Sequence, residues 1–150
     1  EMLKKMKANY GSLDLKFLKK MKDDEVYEEL LQYDGLGVKT ISCVLAFSLG
    51  RDVFPVDTHI HRILNRLGLV QTNTAEKTFE EIKNEIPKGK KAQFHTNLIK
   101  FGRNICKATT PLCSICFLFT DCEFPEKEAF RDKEIPLNIT ENNFIILENI

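Results

Sequence analysis

The sequence has no tryptophan, no surplus of either charge and no apolar run near the ~18–20 residues that a membrane-spanning helix requires. The missing run excludes a spanning helix, so no membrane partner is expected. Lysine plus arginine number 22 and aspartate plus glutamate number 22, giving a formal net charge of zero over 150 residues. Taken alone, that balance counts against a nucleic-acid partner, because such binders are normally basic. Internal repeats and low-complexity tracts are also absent. With 43% hydrophobic and 29% charged residues, the composition suits a globular chain that buries a core, not a disordered one. The chain opens on Glu1 instead of Met and enters a helical pattern with no cap before it, so it is read as starting inside a longer protein.

Five cysteines are present, one isolated (Cys43) and four close together (Cys106, Cys113, Cys116, Cys122). An odd count with one tight cluster points to a metal site in a reducing, intracellular compartment more than to a disulfide scaffold. Cys43, within an apolar helical stretch, is expected to be a small core residue.

Periodicity is helical almost throughout. Residues 2–9 form a short amphipathic helix, and Ser12 is placed to cap a second one carrying Leu15, Leu18 and Met21. A third runs from Asp23 to Tyr33, with acids in its first turns where the helix dipole favours them. Asp34-Gly35-Leu36-Gly37 interrupts, and Val38, Ile41, Leu45 and Leu49 have the spacing of a further helix. Val53-Phe54-Pro55-Val56 reads as an extended connector. Helices follow from Asp57 or Thr58 to Gly68, from a Thr74 cap to Ile86, and from about Lys90 to Ile105. Beyond Pro125 the pattern is poor until Phe144-Ile145-Ile146-Leu147, read as a strand or a docked tail. The sequon Asn138-Ile139-Thr140 is discounted for a chain in a reducing compartment.

Four constellations carry chemistry. Gly35-Leu36-Gly37-Val38-Lys39-Thr40 is a tight turn into a helix, whose first N–H groups suit a phosphate of any sequence; a plain interhelical turn is the equal alternative. Lys39 sits in the first turn of that helix, where the macrodipole opposes a cation and favours the neutral amine that a Schiff-base nucleophile needs. On position alone, a solvated lysine is the other reading. Asp57 is either a base or charge stabiliser or an ordinary N-cap. His59, His61 and His95 are ligand contacts or packing residues, and Arg62 and Arg66 share a face toward phosphates or water. Finally, Cys106-x6-Cys113-x2-Cys116-x5-Cys122 can close around a metal or an iron–sulfur cluster. Having only one close pair tilts it toward a cluster.

As a set, Gly35-Leu36-Gly37-Val38-Lys39-Thr40, Phe54-Pro55-Val56-Asp57-Thr58-His59, and Phe101-Gly102-Arg103 leading into the cysteines resemble the endonuclease III family of helix-hairpin-helix DNA glycosylases. The match covers about residues 24–124. It implies an all-α fold of two helical lobes with a DNA-binding cleft, N-terminally truncated here. Residues 1–52 would be a partial helical domain ending in the hairpin, 53–125 an iron–sulfur domain, and 126–150 a tail without a counterpart. It implies that Lys39 is the nucleophile, Asp57 its assisting carboxylate, and the four cysteines the ligands of a 4Fe-4S cluster. Gly35, Leu36, Gly37, Val38, Thr40, His59, Arg62, Arg103 and Lys107 would contact double-stranded DNA, and the protein would act as a monomer. The implied activity is base-excision repair: removal of oxidised pyrimidines and β-elimination at the abasic site. A non-catalytic DNA-binding fragment, a glycosylase for mismatched or methylated bases, and a small zinc-binding structural domain are the competing readings. Departures from the family are the missing leading helices, which supply much of the base pocket, and a less basic segment between the first two cysteines.

The zero charge then resolves into segments. From Lys88 to Thr120 there are six bases and no acid, whereas Asp23 to Glu29 holds five acids and no base. A basic stripe beside a phosphate-binding hairpin is the footprint of a DNA binder, so the overall balance excludes nothing.

Overall fold

The computed structural model describes residues 1–132. Those residues are helical without a strand, as the periodicity predicts. The segments read at Asn138–Thr140 and Phe144–Leu147 lie outside them. Among the described residues no helix is long and apolar enough to cross a membrane. The chain divides into two compact units, Glu1–Pro55 and Val56–Ile150.

In the first unit, helix α1 (Met2–Tyr10) turns Met6 inward. Ser12 does not cap the next helix as expected. It accepts a bond from Asp14 N at 3.0 Å, and Asp14 accepts one from Lys16 N at 3.0 Å. This pair of local turns competes with an α-helix and leaves a short 3₁₀ stretch, Lys16–Lys20, around buried Leu18. Helix α2 (Asp23–Leu31) opens with Glu25 Oε2 accepting from Lys22 N at 2.6 Å and buries Val26 and Leu30.

Helix α3 (Val38–Cys43) buries Ile41 and Ser42. The predicted single helix to Leu49 instead widens into a π turn over Val44–Ser48, where Leu49 N donates to Val44 O at 3.0 Å. Arg51 explains the change. Its guanidinium donates to Leu18 O (3.0 Å) and Met21 O (2.6 Å) and pairs with Asp23, drawing the end of α3 back to the start of α2. Cys43 is only half-buried, so it is not the core residue expected.

In the second unit, helix α4 (Thr58–Arg66) buries Ile60, Ile63 and Leu64 completely. Each such aliphatic side chain contributes roughly 1.5–3 kcal/mol of burial. Helix α5 (Ala75–Ile82) is capped by Thr74, whose hydroxyl accepts from Lys77 N at 3.2 Å, and it stops short of the Ile86 expected. Fully buried Thr78 meets His61 Nδ1 at 2.7 Å and so joins α5 to α4. Helix α6 (Lys91–Asn104) buries Leu98, Phe101 and Gly102 and packs along α4. Gly102 permits that approach: a Cβ there would stand 2.9 Å from His59 Cβ and 3.1 Å from Ile63 Cδ1.

Candidate functional site

The hairpin forms in the first unit because fully buried Tyr33 anchors the chain just past α2 and Gly35 then takes φ +90°, a conformation that only glycine adopts cheaply. Leu36 N donates to Tyr33 O at 3.1 Å, closing the turn. Gly37 is the N-cap of α3 and has no side chain with which to cap it. The first N–H groups of α3 therefore have no partner inside the helix. Lys39 and Thr40 are exposed in that first turn, and Val38 and Leu36 are half-buried. Behind them Ser42 Oγ donates to Val38 O at 2.8 Å and lies 2.6 Å from Tyr27 Oη, which pins α3 to α2. The face bearing Lys39 is thus open while the opposite face is fixed.

In the second unit Asp57 is the N-cap of α4, with Oδ1 accepting from Ile60 N at 2.9 Å. One carboxylate oxygen suffices for the cap. His59 Nδ1 lies 3.1 Å from Arg62 Nη2; with the guanidinium donating, the imidazole proton sits on Nε2. Arg62 also donates to Gly102 O (3.1 Å) and Cys106 O (2.8 Å) at the C-terminal end of α6, where a cation is favourable. Arg66 donates to Lys107 O (2.7 Å) and Ala108 O (2.9 Å), so neither guanidinium faces outward as the shared helix face suggested. Sequence reasoning missed these partners, because a backbone carbonyl carries no residue signature. Arg103 is exposed on α6, Lys107 is half-buried, and His95 is buried.

All four cysteines of the cluster line one small cavity, with about 20 Å³ of space for a water-sized sphere. Ile63, Phe101, Leu112 and Phe124 supply apolar wall, and Arg66 is the charged residue on it. Burial pushes the Cys116 thiol up to about 11, with the other three sulfurs adding to the rise and a backbone bond from Leu118 opposing it. Cys113 is also raised, by burial first and then by Cys106 and Cys122, against the pull of Arg66 and Lys127. Bare thiolates at Cys113 and Cys116 are therefore disfavoured, and an electron-poor metal core would relieve that cost. No three His, Cys, Asp or Glu among the described residues converge as ligands of a single ion. Four thiols on one cavity are a donor set that zinc or an iron–sulfur core takes. Cys43 belongs to α3, in the other unit.

No family model matches the chain. Endonuclease III of Thermotoga maritima is 45% identical over 97 residues, which are 65% of this chain and 46% of that protein. The DNA glycosylase/AP lyase ROS1 of Arabidopsis thaliana is 28% identical over 157 residues, covering 93% of this chain and 11% of the relative. Among solved structures, a trapped endonuclease III–DNA covalent intermediate, an estranged-adenine complex, superposes with a TM-score of 0.70 at 28% identity. It covers 85% of this chain and 57% of that one. This chain thus spans a little under half the length of the first of these curated relatives.

Proposed function

Because the chain belongs to the endonuclease III family, we propose that it forms part of a base-excision DNA repair enzyme, a DNA glycosylase with abasic-site lyase activity. The observation that carries this reading is Lys39, held exposed in the first turn of α3 directly behind the Gly35–Gly37 turn. The preferred substrates would be oxidised pyrimidines in double-stranded DNA, flipped out of the stack before reaction.

In that reaction the Lys39 amine attacks the anomeric carbon of the sugar, and the glycosidic bond breaks as the base leaves. The resulting imine acidifies the neighbouring carbon, whose deprotonation expels the 3′ phosphate by β-elimination. Asp57 would be the carboxylate that assists this chemistry, as a base or by stabilising the cationic sugar, while its Oδ1 keeps α4 capped. The hairpin residues Gly35, Leu36, Gly37, Val38 and Thr40 would lie against backbone phosphate, with His59, Arg103 and Lys107 as further contacts. Arg62 was expected among these contacts. With its guanidinium on Gly102 O and Cys106 O, its part in this reading is to fix His59. Cys106, Cys113, Cys116 and Cys122 would hold a 4Fe-4S cluster, which would cross-link the loop and supply one-electron redox capacity when bound. The protein would act as a monomer inside the cell.

Borohydride trapping tests the proposal. Incubated with duplex DNA containing an abasic site, the full chain is expected to yield a covalent adduct that Lys39→Ala abolishes. An adduct that survives Lys39→Ala removes the lysine from the chemistry. Tight duplex binding with neither adduct nor strand cleavage would mark a non-catalytic DNA-binding module instead.

A further inference from the structure

Arg66 occupies an unusual position between the two ends of the cysteine segment. Its side chain holds the first end: Nη1 donates to Lys107 O at 2.7 Å and reaches Cys106 Sγ at 3.5 Å, and Nη2 donates to Ala108 O at 2.9 Å. Its main chain holds the last end, because Arg66 O accepts from Glu123 N at 2.9 Å; the Cys122 thiol also donates to that carbonyl at 3.2 Å, a bond that a metal-bound thiolate gives up. The guanidinium stacks on Phe124, 4.1 Å from the ring centroid. One residue of α4 thus ties together the segments that carry the first and the fourth cysteine. Arg62 and Lys127 also hold this segment, on Cys106 O and on Cys122 O, but each grips one end only.

We propose that Arg66 is the positioning residue of the cysteine loop, closing it for a metal cluster and setting that cluster's reduction potential through a fixed positive charge at Cys106. The inference rests on the four-cysteine reading above. Lys127 makes a useful contrast. It donates to Phe119 O (2.9 Å) and Cys122 O (2.6 Å), so it holds loop backbone at one end only. A cation beside a ligand sulfur favours the more negative, reduced state of a cluster and raises its potential. A residue that only braced the fold would leave the potential where it was.

The test compares the full chain with Arg66→Gln, Arg66→Lys and Lys127→Gln after reconstitution with iron and sulfide. The readouts are iron content, iron release to a chelator, midpoint potential and helicity by circular dichroism. Arg66→Gln is expected to keep its helicity, to hold iron about 10- to 100-fold less tightly and so release it faster, and to shift its potential negative. Arg66→Lys should hold the potential near the parent's while releasing iron at an intermediate rate, because charge remains and the fork is lost. Lys127→Gln should speed release less than Arg66→Gln. Parental release and potential in Arg66→Gln would overturn the role of Arg66 while leaving the cysteine reading intact. If Arg66→Gln does not fold, Arg66→Lys decides: release at the parental rate overturns the proposal. A parent chain that takes up no iron overturns the cysteine reading, and this inference falls with it.

Discussion

In the unit Glu1–Pro55 the residue proposed to react stands in the open, whereas in Val56–Ile150 the residues proposed to bind metal are gripped from several sides. Lys39 is exposed, and its place is fixed only from behind, by Ser42 on Val38 O and by Ile41 in the core. The cysteine segment is held by Arg62 on Cys106 O, Arg66 on Lys107 and Ala108, and Lys127 on Cys122 O. The difference follows from the two chemistries. A nucleophile must reach a substrate that arrives from outside, so its rotamers stay free and its backbone does the positioning. Ligands to a cluster must converge before the metal does, and every ordered loop residue costs conformational entropy that bonds from a neighbouring helix offset. Both units still use one device, an arginine that gathers the carbonyls of a distant segment. In the first unit that arginine is Arg51.

The strongest way to break this comparison is to separate Asp57's chemistry from its capping. Asn caps a helix as well as Asp does, so Asp57→Asn keeps the bond to Ile60 N and removes the carboxylate charge. Adduct formation on abasic DNA should fall about 10²- to 10⁴-fold, the usual range for losing a general acid or base. The thermal midpoint should stay within a few degrees of the parent's. If single-turnover trapping runs at the parental rate, Asp57 is a cap alone, and the second unit contributes fixed structure without a reacting group.

The next effects are on stability and should be local to each unit. Arg51→Met leaves Leu18 O and Met21 O without their donor and Asp23 without its partner. Bonds to a charged group are worth about 1.5–3 kcal/mol, so the loss should be about 2 kcal/mol. Amide hydrogen exchange should quicken over residues 16–51 and not over α4 to α6. Gly102→Ala acts in the other unit, where the new methyl would meet His59 Cβ at 2.9 Å. Overpacking of this kind costs about 1–3 kcal/mol and should quicken exchange in α4 and α6 only. Either variant spreading its effect evenly over both units would show that they do not unfold separately.

Much of this was legible beforehand. The helical repeats of Val38-Ile41-Leu45 and Ile60-Ile63-Leu64 named the inward faces, Thr74 named a cap, and the glycines at 35 and 37 named the hairpin. These signals are local, carried by propensity, period and side-chain capping within one element. The failures share a cause. Ser12 lost its cap to the Ser12–Asp14 turns, the helix after Lys39 opened into a π turn under the pull of Arg51, and Arg62 and Arg66 turned inward. Each depends on which distant carbonyl is within reach, and nothing short of the fold supplies that. The raised thiols of Cys113 and Cys116 likewise come first from burial and then from the neighbouring sulfurs, assembled only when α4, α6 and the loop meet.

The smallest effect expected is a pH dependence confined to the first unit, and it shows how lightly that unit uses its polar groups. Tyr10 Oη is hydrogen-bonded to Glu29, and its ring is 4.9 Å from Phe17. Burial first, then the bonds to Glu29 and Tyr33, hold the phenol above its ordinary value of 10.0. The sign follows from proton counting. Above pH 10 the unfolded chain releases this proton while the folded chain keeps it, so stability present below pH 10 declines as pH rises further. Half-exposure weakens the effect through solvent screening. Lysines also titrate there, so the parent alone proves little, but Tyr10→Phe shares every lysine with it. The stability advantage of the parent over Tyr10→Phe in urea should therefore hold constant from pH 7 to about pH 9.5 and narrow beyond pH 10. Parallel curves through pH 11 would mean that the Tyr10–Glu29 bond does not bind the proton more tightly in the folded state. That bond would then add nothing pH-dependent to the first unit, whose order would rest on its apolar packing, Arg51 and the Tyr27–Ser42 pair.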